Sequence, residues 1–152
     1  MSKPLTIRVE IPYETTLHVR DHCLCLHAQR AARALARRFD EALRPVGLTN
    51  GQFSLLMSLN RPEPPSMGSV ASLLAMDRTT LTAALKPLER RGLVVSTQNP
   101  RDKRGRHLSL TGEGRVVLAD ALPVWKQTHA DVDRMLDSES AGDIRSALRS
   151  LS

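Results

Sequence analysis

Aromatic residues are scarce in this sequence, at 3% of 152 residues: two Phe, one Trp and one Tyr. Proteins that bind single-stranded nucleic acid stack successive bases on aromatic side chains. A few scattered rings do not form such a platform, so this class of binding protein is disfavoured.

Cysteine is also rare, and several other signals are missing. Two cysteines, Cys23 and Cys25, are too few and too close for a disulfide framework, which favours a reducing cytoplasm. No apolar run approaches the roughly 18 residues of a membrane helix, and the N-terminal MSKPLTIRVEIPYE lacks the apolar core of a signal peptide. There is no G-x-S-x-G, glycine-rich phosphate loop or H-E-x-x-H. We therefore expect no membrane association, no enzymatic activity and no cofactor.

Positive charge is plentiful. The 22 Lys and Arg residues outnumber the 16 Asp and Glu residues and give a net charge of +6. A basic surface suits a polyanion. Since the aromatic platform is missing, double-stranded DNA read by helices and basic side chains is the favoured partner.

The hydrophobic pattern predicts a single domain over residues 1–152. An extended arm (1–14) precedes a long helix that lies within 15–45 and reaches about Leu43. Residues 48–110 form a central region, and 111–152 form two further helices with apolar stripes. In the central region three helix starts carry capping residues: Thr49 with Gln52, then Ser66, then Asp77.

The central region reads as a winged helix-turn-helix. Its elements are a short helix after Ser66, a tight connection at Ala75–Met76, a helix from Asp77 to Gly92, and strands at 93–97 and 107–110. The segment QNPRDKRGR joins the strands. The predicted fold is therefore mainly α with a small β-hairpin wing, flanked by N- and C-terminal dimerisation helices.

The helix that follows Asp77 has two unlike faces. Leu81, Leu85 and Leu88 share an aliphatic face that must pack on the preceding helix. The other face offers groups that reach base edges and phosphates in a major groove. The candidate DNA contacts of this recognition helix are Arg78, Thr79, Thr80, Thr82 and Lys86. The alternative is an ordinary solvated helix face.

The predicted hairpin loop is densely basic. We expect it to lay its cations along the DNA backbone or in a minor groove; these are Arg101, Lys103, Arg104 and Arg106. Asp102 repels phosphate, so we expect it to brace a neighbouring arginine.

Two stretches resemble the MarR family of bacterial transcriptional regulators: DRTTLTAALKPLERRGLV (77–94) and NPRDKRGRHLSLTGEGR (99–115). The similarity includes the wing signature D-x-R leading into L-S-L-T-x-x-G, here Asp102, Arg104 and 108–114, and it spans about residues 20–150. It implies a triangular homodimer with interlocked first, fifth and sixth helices, bound to a near-palindromic operator. Arg78, Thr79, Thr82 and Lys86 would face the major groove, and Arg104 the minor groove.

The resemblance also implies a repressor released by a small-molecule effector. In the family the effector pocket lies between the dimer helices and the winged domain. The candidate lining residues here are His27, Phe53, Met57 and Trp125. A winged helix used as a protein-interaction module is the remaining alternative, and weak salt dependence of duplex binding would favour it.

The hexapeptide HCLCLH (22–27) concentrates metal-ligating side chains. On a continuous helix no single face presents all four of them, so we expect no metal site. There Cys23 and Cys25 would point about 160° apart and would not bond to each other. One interpretation is packing in a dimer interface. The other is a thiol-based peroxide sensor acting through Cys25, because Asp21 would cap the helix and place both thiols in its first turns.

Overall fold

Seven α-helices and one β-hairpin make up the part of the chain that the computed structural model describes, residues 9–152 without the side chains of 138 and 139. The helices are α1 (Tyr13–His22), α2 (Leu24–Leu43), α3 (Asn50–Leu59), α4 (Met67–Leu73), α5 (Arg78–Arg90), α6 (Gly112–Met135) and α7 (Ser138–Ser150). The strands are β1 (Val94–Asn99) and β2 (Asp102–Leu110), and a short 3-10 turn covers Arg44–Val46. The fold class is thus the predicted one, mainly α with a hairpin. No helix among the described residues is long and apolar enough to cross a membrane.

The chain falls into two compact units whose boundary lies between Leu35 and Ala36, within α2. In the first unit, the prediction of one continuous helix is wrong. The arm prediction falls mostly on residues 1–8, outside the described part, and helix already begins at Tyr13. At Cys23 the backbone turns extended (φ −76°, ψ 106°), which ends α1 before α2 begins.

Cys23 closes one helix and opens the next. Its backbone N–H donates to the Val19 carbonyl at 2.9 Å, and its thiol accepts from the Leu26 N–H at 3.4 Å. Asp21 therefore does not cap the second helix; it lies in the last turn of α1 and pairs with Arg20. The break contains neither Pro nor Gly, so the sequence gives no ordinary signal of interruption.

The second unit holds the hydrophobic core around α3, α4, α5 and the hairpin. Its largest fully buried side chains are Leu43, Leu55, Leu56, Leu81, Leu88, Leu108 and Val70. All three predicted caps are confirmed: Thr49 and Gln52 form a reciprocal capping box, and Ser66 and Asp77 each accept a backbone N–H three residues ahead. The connection between α4 and α5 is tight enough to put Ala75 in the left-handed region (φ 51°).

The hairpin is longer than predicted. Val94 pairs with Leu110 and the register runs on to Gln98 with Arg106, but Asn99 then pairs with Asp102. Three β2 residues, 103–105, thus have no counterpart on β1, which is a bulge. Most of the predicted basic loop therefore belongs to β2, and the turn itself is reduced to Pro100 and Arg101.

Helix α6 starts in close contact with the hairpin. Thr111 caps it by accepting from the Gly114 N–H at 3.0 Å, and its hydroxyl donates to the Gly92 carbonyl. A Cβ on Gly114 would overlap the Leu93 carbonyl oxygen and lie 3.0 Å from the Leu93 carbonyl carbon. The T-x-x-G motif thus marks the point where the backbone of α6 contacts Leu93, the residue before β1.

Helix α7 packs against α6. Ala141 is buried, and Arg145 reaches Asp133 of α6 at 3.3 Å. Its apolar stripe stays exposed, with Ile144, Leu148 and Leu151 at 39%, 51% and 72% of their full exposure.

Candidate nucleic-acid interface

The recognition helix α5 begins at a strong N-cap. Asp77 accepts from the Thr80 backbone N–H at 2.7 Å and from the Thr80 hydroxyl at 2.9 Å. These hydrogen bonds from Thr80, the backbone one first, hold the pKa of Asp77 below its usual value. The Thr80 hydroxyl therefore contributes its proton to the cap, although the residue was predicted as a DNA contact.

The two faces of α5 are divided as predicted. Leu81, Leu85 and Leu88 are buried, at most 3% exposed. The other predicted contacts on this helix are exposed: Arg78, Thr79, Thr82 and Lys86. The Thr82 hydroxyl donates its proton to the Arg78 carbonyl at 2.8 Å, so its oxygen remains available only as an acceptor.

A groove of about 400 Å³ joins the recognition helix to the wing. Arg78 and Thr82 line it from α5, and Asp102, Arg104 and Arg106 line it from β2. Gly68 of α4 also lines the groove, and a Cβ added to it would lie 3.7 Å from the Arg78 guanidinium. Arg78 thus lines the same concave surface as Arg104 and Arg106, which lie 26 and 28 positions later in the sequence.

The wing is fixed by side-chain contacts that sequence reasoning missed. Asn99 accepts from the Arg101 backbone N–H at 2.9 Å, and the Gln98 amide donates to the Lys103 carbonyl at 3.0 Å. The Arg106 guanidinium donates through Nε to the Ser96 hydroxyl at 2.6 Å and through Nη2 to the Ser96 carbonyl at 3.2 Å. The Asn99 contact is local to the turn, whereas the contact of Arg106 with Ser96, ten residues away, depends on the strand register, which the sequence does not specify.

Asp102 holds a neighbouring arginine through that residue's backbone and not through its side chain. Its carboxylate accepts from the Arg104 backbone N–H at 2.9 Å, so it fixes the chain at the bulge. No ion pair between Asp102 and an arginine side chain occurs among the described residues. The Arg104 guanidinium has no hydrogen-bonded partner within the described part of the chain.

Three of the predicted effector-pocket residues meet in a second cavity, of about 350 Å³. Phe53 and Trp125 stack with ring centroids 5.8 Å apart, and Met57 lines the cavity beside them. Met57 is 39% exposed, so its side chain is open to the cavity. His27 lies in the N-terminal unit, where its Nε2 is 3.2 Å from the Asp21 carbonyl.

The HCLCLH segment spans the break between α1 and α2. The rings of His18 and His22 stack at 4.2 Å, and the Gln29 amide lies 3.1 Å from the exposed Cys25 thiol. No group of three metal-ligating side chains comes together in the described residues. Because the helix is broken at Cys23, the angle expected between the two thiols on a continuous helix does not apply.

These elements define a winged helix-turn-helix protein: a capped recognition helix, a preceding short helix, and a basic hairpin that shares a groove with it. The MarR family model matches residues 48–105, which include both helices and the hairpin as far as Gly105 of β2. Regulator BilQ of Clostridioides difficile is 32% identical over 88 residues, which are 58% of this chain and 60% of BilQ.

Solved structures are similar over a longer stretch. The Mycobacterium tuberculosis transcriptional regulator MosR, in complex with DNA, is 35% identical, with 86% of this chain and 96% of MosR covered and a TM-score of 0.76. The repressor CouR bound to a 23-mer DNA duplex is 29% identical, with 94% and 99% covered and a TM-score of 0.79. CouR from Rhodococcus jostii is also known bound to p-coumaroyl-CoA (25% identity, 86% and 92% covered, TM-score 0.74).

The chain belongs to the MarR family and is a transcriptional regulator of the winged helix-turn-helix type.

Proposed function

We propose that this protein is a cytoplasmic, non-enzymatic homodimeric repressor that binds a near-palindromic operator and is released by a small-molecule effector. The groove shared by Arg78, Thr82 and Arg104 carries the proposal. A recognition helix enters the major groove while a wing follows the backbone or the minor groove, and both must present their cations on one side. MosR and CouR, which share this fold, are found bound to DNA.

A dimer is supported by apolar surface that a single chain leaves uncovered. Leu148 of α7 and Leu151, just after its end, are more than half exposed, and in the N-terminal unit Leu24 is 73% exposed. Exposed apolar stripes on terminal helices favour a self-complementary interface. Two recognition helices related by a two-fold axis then read two half-sites of an operator.

The effector is proposed to occupy the cavity beside Trp125. Its walls are apolar apart from Ser54 and Ser58, which suits a planar or aliphatic body. A neighbouring cavity of about 280 Å³ shares Met57 and Leu122 and adds Arg115. An effector with an apolar body and an anionic group fits this pair of cavities, with the anion on Arg115.

DNA binding is tested by fluorescence anisotropy on duplex DNA from upstream of the protein's own gene. Each neutralised phosphate releases counterions, so a DNA-binding regulator loses affinity steeply as salt is raised. Binding that ignores salt would favour the protein-interaction module instead.

The effector site is tested through Trp125, the only tryptophan in the chain. An anionic aromatic compound should change its fluorescence and release the DNA, and Arg115→Gln should weaken that compound but not its uncharged amide. An equal loss for both compounds would contradict an anion contact at Arg115.

A thiol-based sensor is the second candidate function. It is favoured by the exposed Cys25 thiol, which an oxidant can reach, and by Cys23 two residues before it, whose thiol accepts the Leu26 N–H at the start of α2. An organic hydroperoxide would oxidise Cys25: the thiolate attacks the peroxide oxygen, the O–O bond breaks, and a sulfenic acid and an alcohol form. Release of wild-type protein but not Cys25→Ser from DNA by hydroperoxide would support this function.

A further inference from the structure

The wing cations differ in what their side chains do. Arg106 has its guanidinium engaged within the hairpin, whereas the Arg104 guanidinium has no partner in the described part of the chain. We propose that Arg106, held by Ser96, is a positioning residue that aims Arg104 at DNA and does not itself contact phosphate. This inference rests on the proposed DNA-binding function of the hairpin.

Arg104 lies in the bulge, so its position depends on the contacts that hold the two ends of the bulge. Gln98 pairs with Arg106 and Asn99 with Asp102, so the three residues 103–105 leave the regular ladder. A bulge of this kind redirects a side chain, but it also removes the ladder hydrogen bonds that hold a strand in place. Gly105 adds backbone freedom on one side of Arg104.

Both ends of the bulge are held by side chains. At one end the Asp102 carboxylate binds the Arg104 backbone N–H at 2.9 Å. At the other end Arg106 makes a two-point contact across the hairpin with Ser96, at 2.6 and 3.2 Å. Ser96 pairs with Leu108, two residues beyond Arg106. The guanidinium therefore spans the ladder diagonally and links β2 to β1 next to the bulge.

The Ser96 contact accounts for Arg106 better than a phosphate contact does. A charge-assisted hydrogen bond at 2.6 Å through Nε, together with a second bond through Nη2, fixes the plane of the guanidinium against β1. To bind phosphate with the same N–H groups, Arg106 would have to release both acceptors. Holding the bulge before DNA arrives lowers the conformational entropy that Arg104 loses on binding.

The two roles predict different salt dependences. Arg104→Ala should lower the slope of log affinity against log salt by about 0.9 per protomer, one phosphate contact. If Arg106 positions Arg104, Arg106→Ala should lose the same single contact, and the double variant should lose no more. If Arg106 binds phosphate independently, the double variant should lose two contacts per protomer.

Substitutions at Ser96 provide an independent test, because they leave every charge of the wing in place. Ser96→Ala removes one of the two acceptors and should reproduce part of the Arg106→Ala loss, while Ser96→Thr keeps the hydroxyl and should bind DNA as the wild type does. The matched control is Thr97→Ala, a neighbouring exposed residue of β1 whose side chain points to the opposite face.

The outcomes separate the inference from the function on which it rests. If the wild type shows no salt-sensitive DNA binding, the proposed function fails. If the wild type binds and Ser96→Ala behaves like Thr97→Ala, or the double variant loses two contacts, Arg106 is not a positioning residue. Should Arg106→Ala fail to fold, the Ser96 variants decide the question alone.

Discussion

Helix α6 approaches Leu93, the residue before β1, so closely that adding one methyl group at Gly114 should destabilise the fold strongly. A Cβ there would overlap the Leu93 carbonyl oxygen and lie 3.3 Å from the Leu93 Cα, and both atoms belong to backbone that cannot rotate away. The Leu93 carbonyl is also the acceptor of the Thr111 N–H at 3.1 Å. Helix α6 must therefore shift as a body, which strains the cap as well.

The magnitude follows from two opposing terms. Because the added Cβ overlaps backbone, the overpacking cost lies at the upper end of its usual range, about 3 kcal/mol, and the better helix propensity of Ala returns about 1 kcal/mol. The net loss for Gly114→Ala is about 2 kcal/mol. For a chain of this length that corresponds to a fall in Tm of about 4–8 °C.

Gly112→Ala is the matched control, because no heavy atom lies within 4 Å of its added Cβ. Thermal unfolding followed by circular dichroism, at one fixed protomer concentration so that dimerisation does not shift Tm, should leave this variant unchanged or slightly more stable. If Gly114→Ala melts at the same temperature as Gly112→Ala, the contact with Leu93 does not constrain the fold.

Three further predictions concern the cap, the base contacts and the dimer. Because hydrogen bonds from Thr80 depress the pKa of Asp77, its charged cap stabilises α5 above the ordinary carboxyl pKa. That stability is lost as pH falls through the depressed pKa, so in thermal melts the deficit of Asp77→Ala should shrink at acid pH; a constant deficit would contradict a charged cap. Thr82→Val or Lys86→Ala should weaken operator binding more than binding to random DNA, and equal losses in competition assays would argue against base readout. Deleting 138–152 should weaken the dimer in sedimentation velocity, and an intact dimer would place the interface elsewhere.

Local signals predicted much of this fold correctly. Thr49, Ser66 and Asp77 each cap a helix through atoms three residues away, so the sequence alone contains both partners. The buried leucines of α5 follow the helical period in the same way. The winged helix-turn-helix could be read from these elements because each is specified within one short segment.

Features that depend on distant partners were not predictable. The bulge that carries Arg104 comes from a shift in strand pairing after Gln98, and the contact of Arg106 with Ser96 comes from the regular register beside it. At the break, the Cys23 thiol accepts the Leu26 N–H at the start of α2, and cysteine is not one of the residue types that commonly cap a helix. Met57 follows the helical pattern of a core residue, but it lines an open cavity because no neighbouring side chain covers it fully.

The salt dependence of DNA binding tests the central claim most directly. Fluorescence anisotropy with duplex DNA from upstream of the gene should give two chains per duplex and an affinity that falls steeply with salt. Arg104→Ala should reduce that slope by about one phosphate contact per protomer. A wild-type affinity that does not change with salt, or a slope that Arg104→Ala leaves unaltered, would contradict a regulator that grips DNA with its recognition helix and wing.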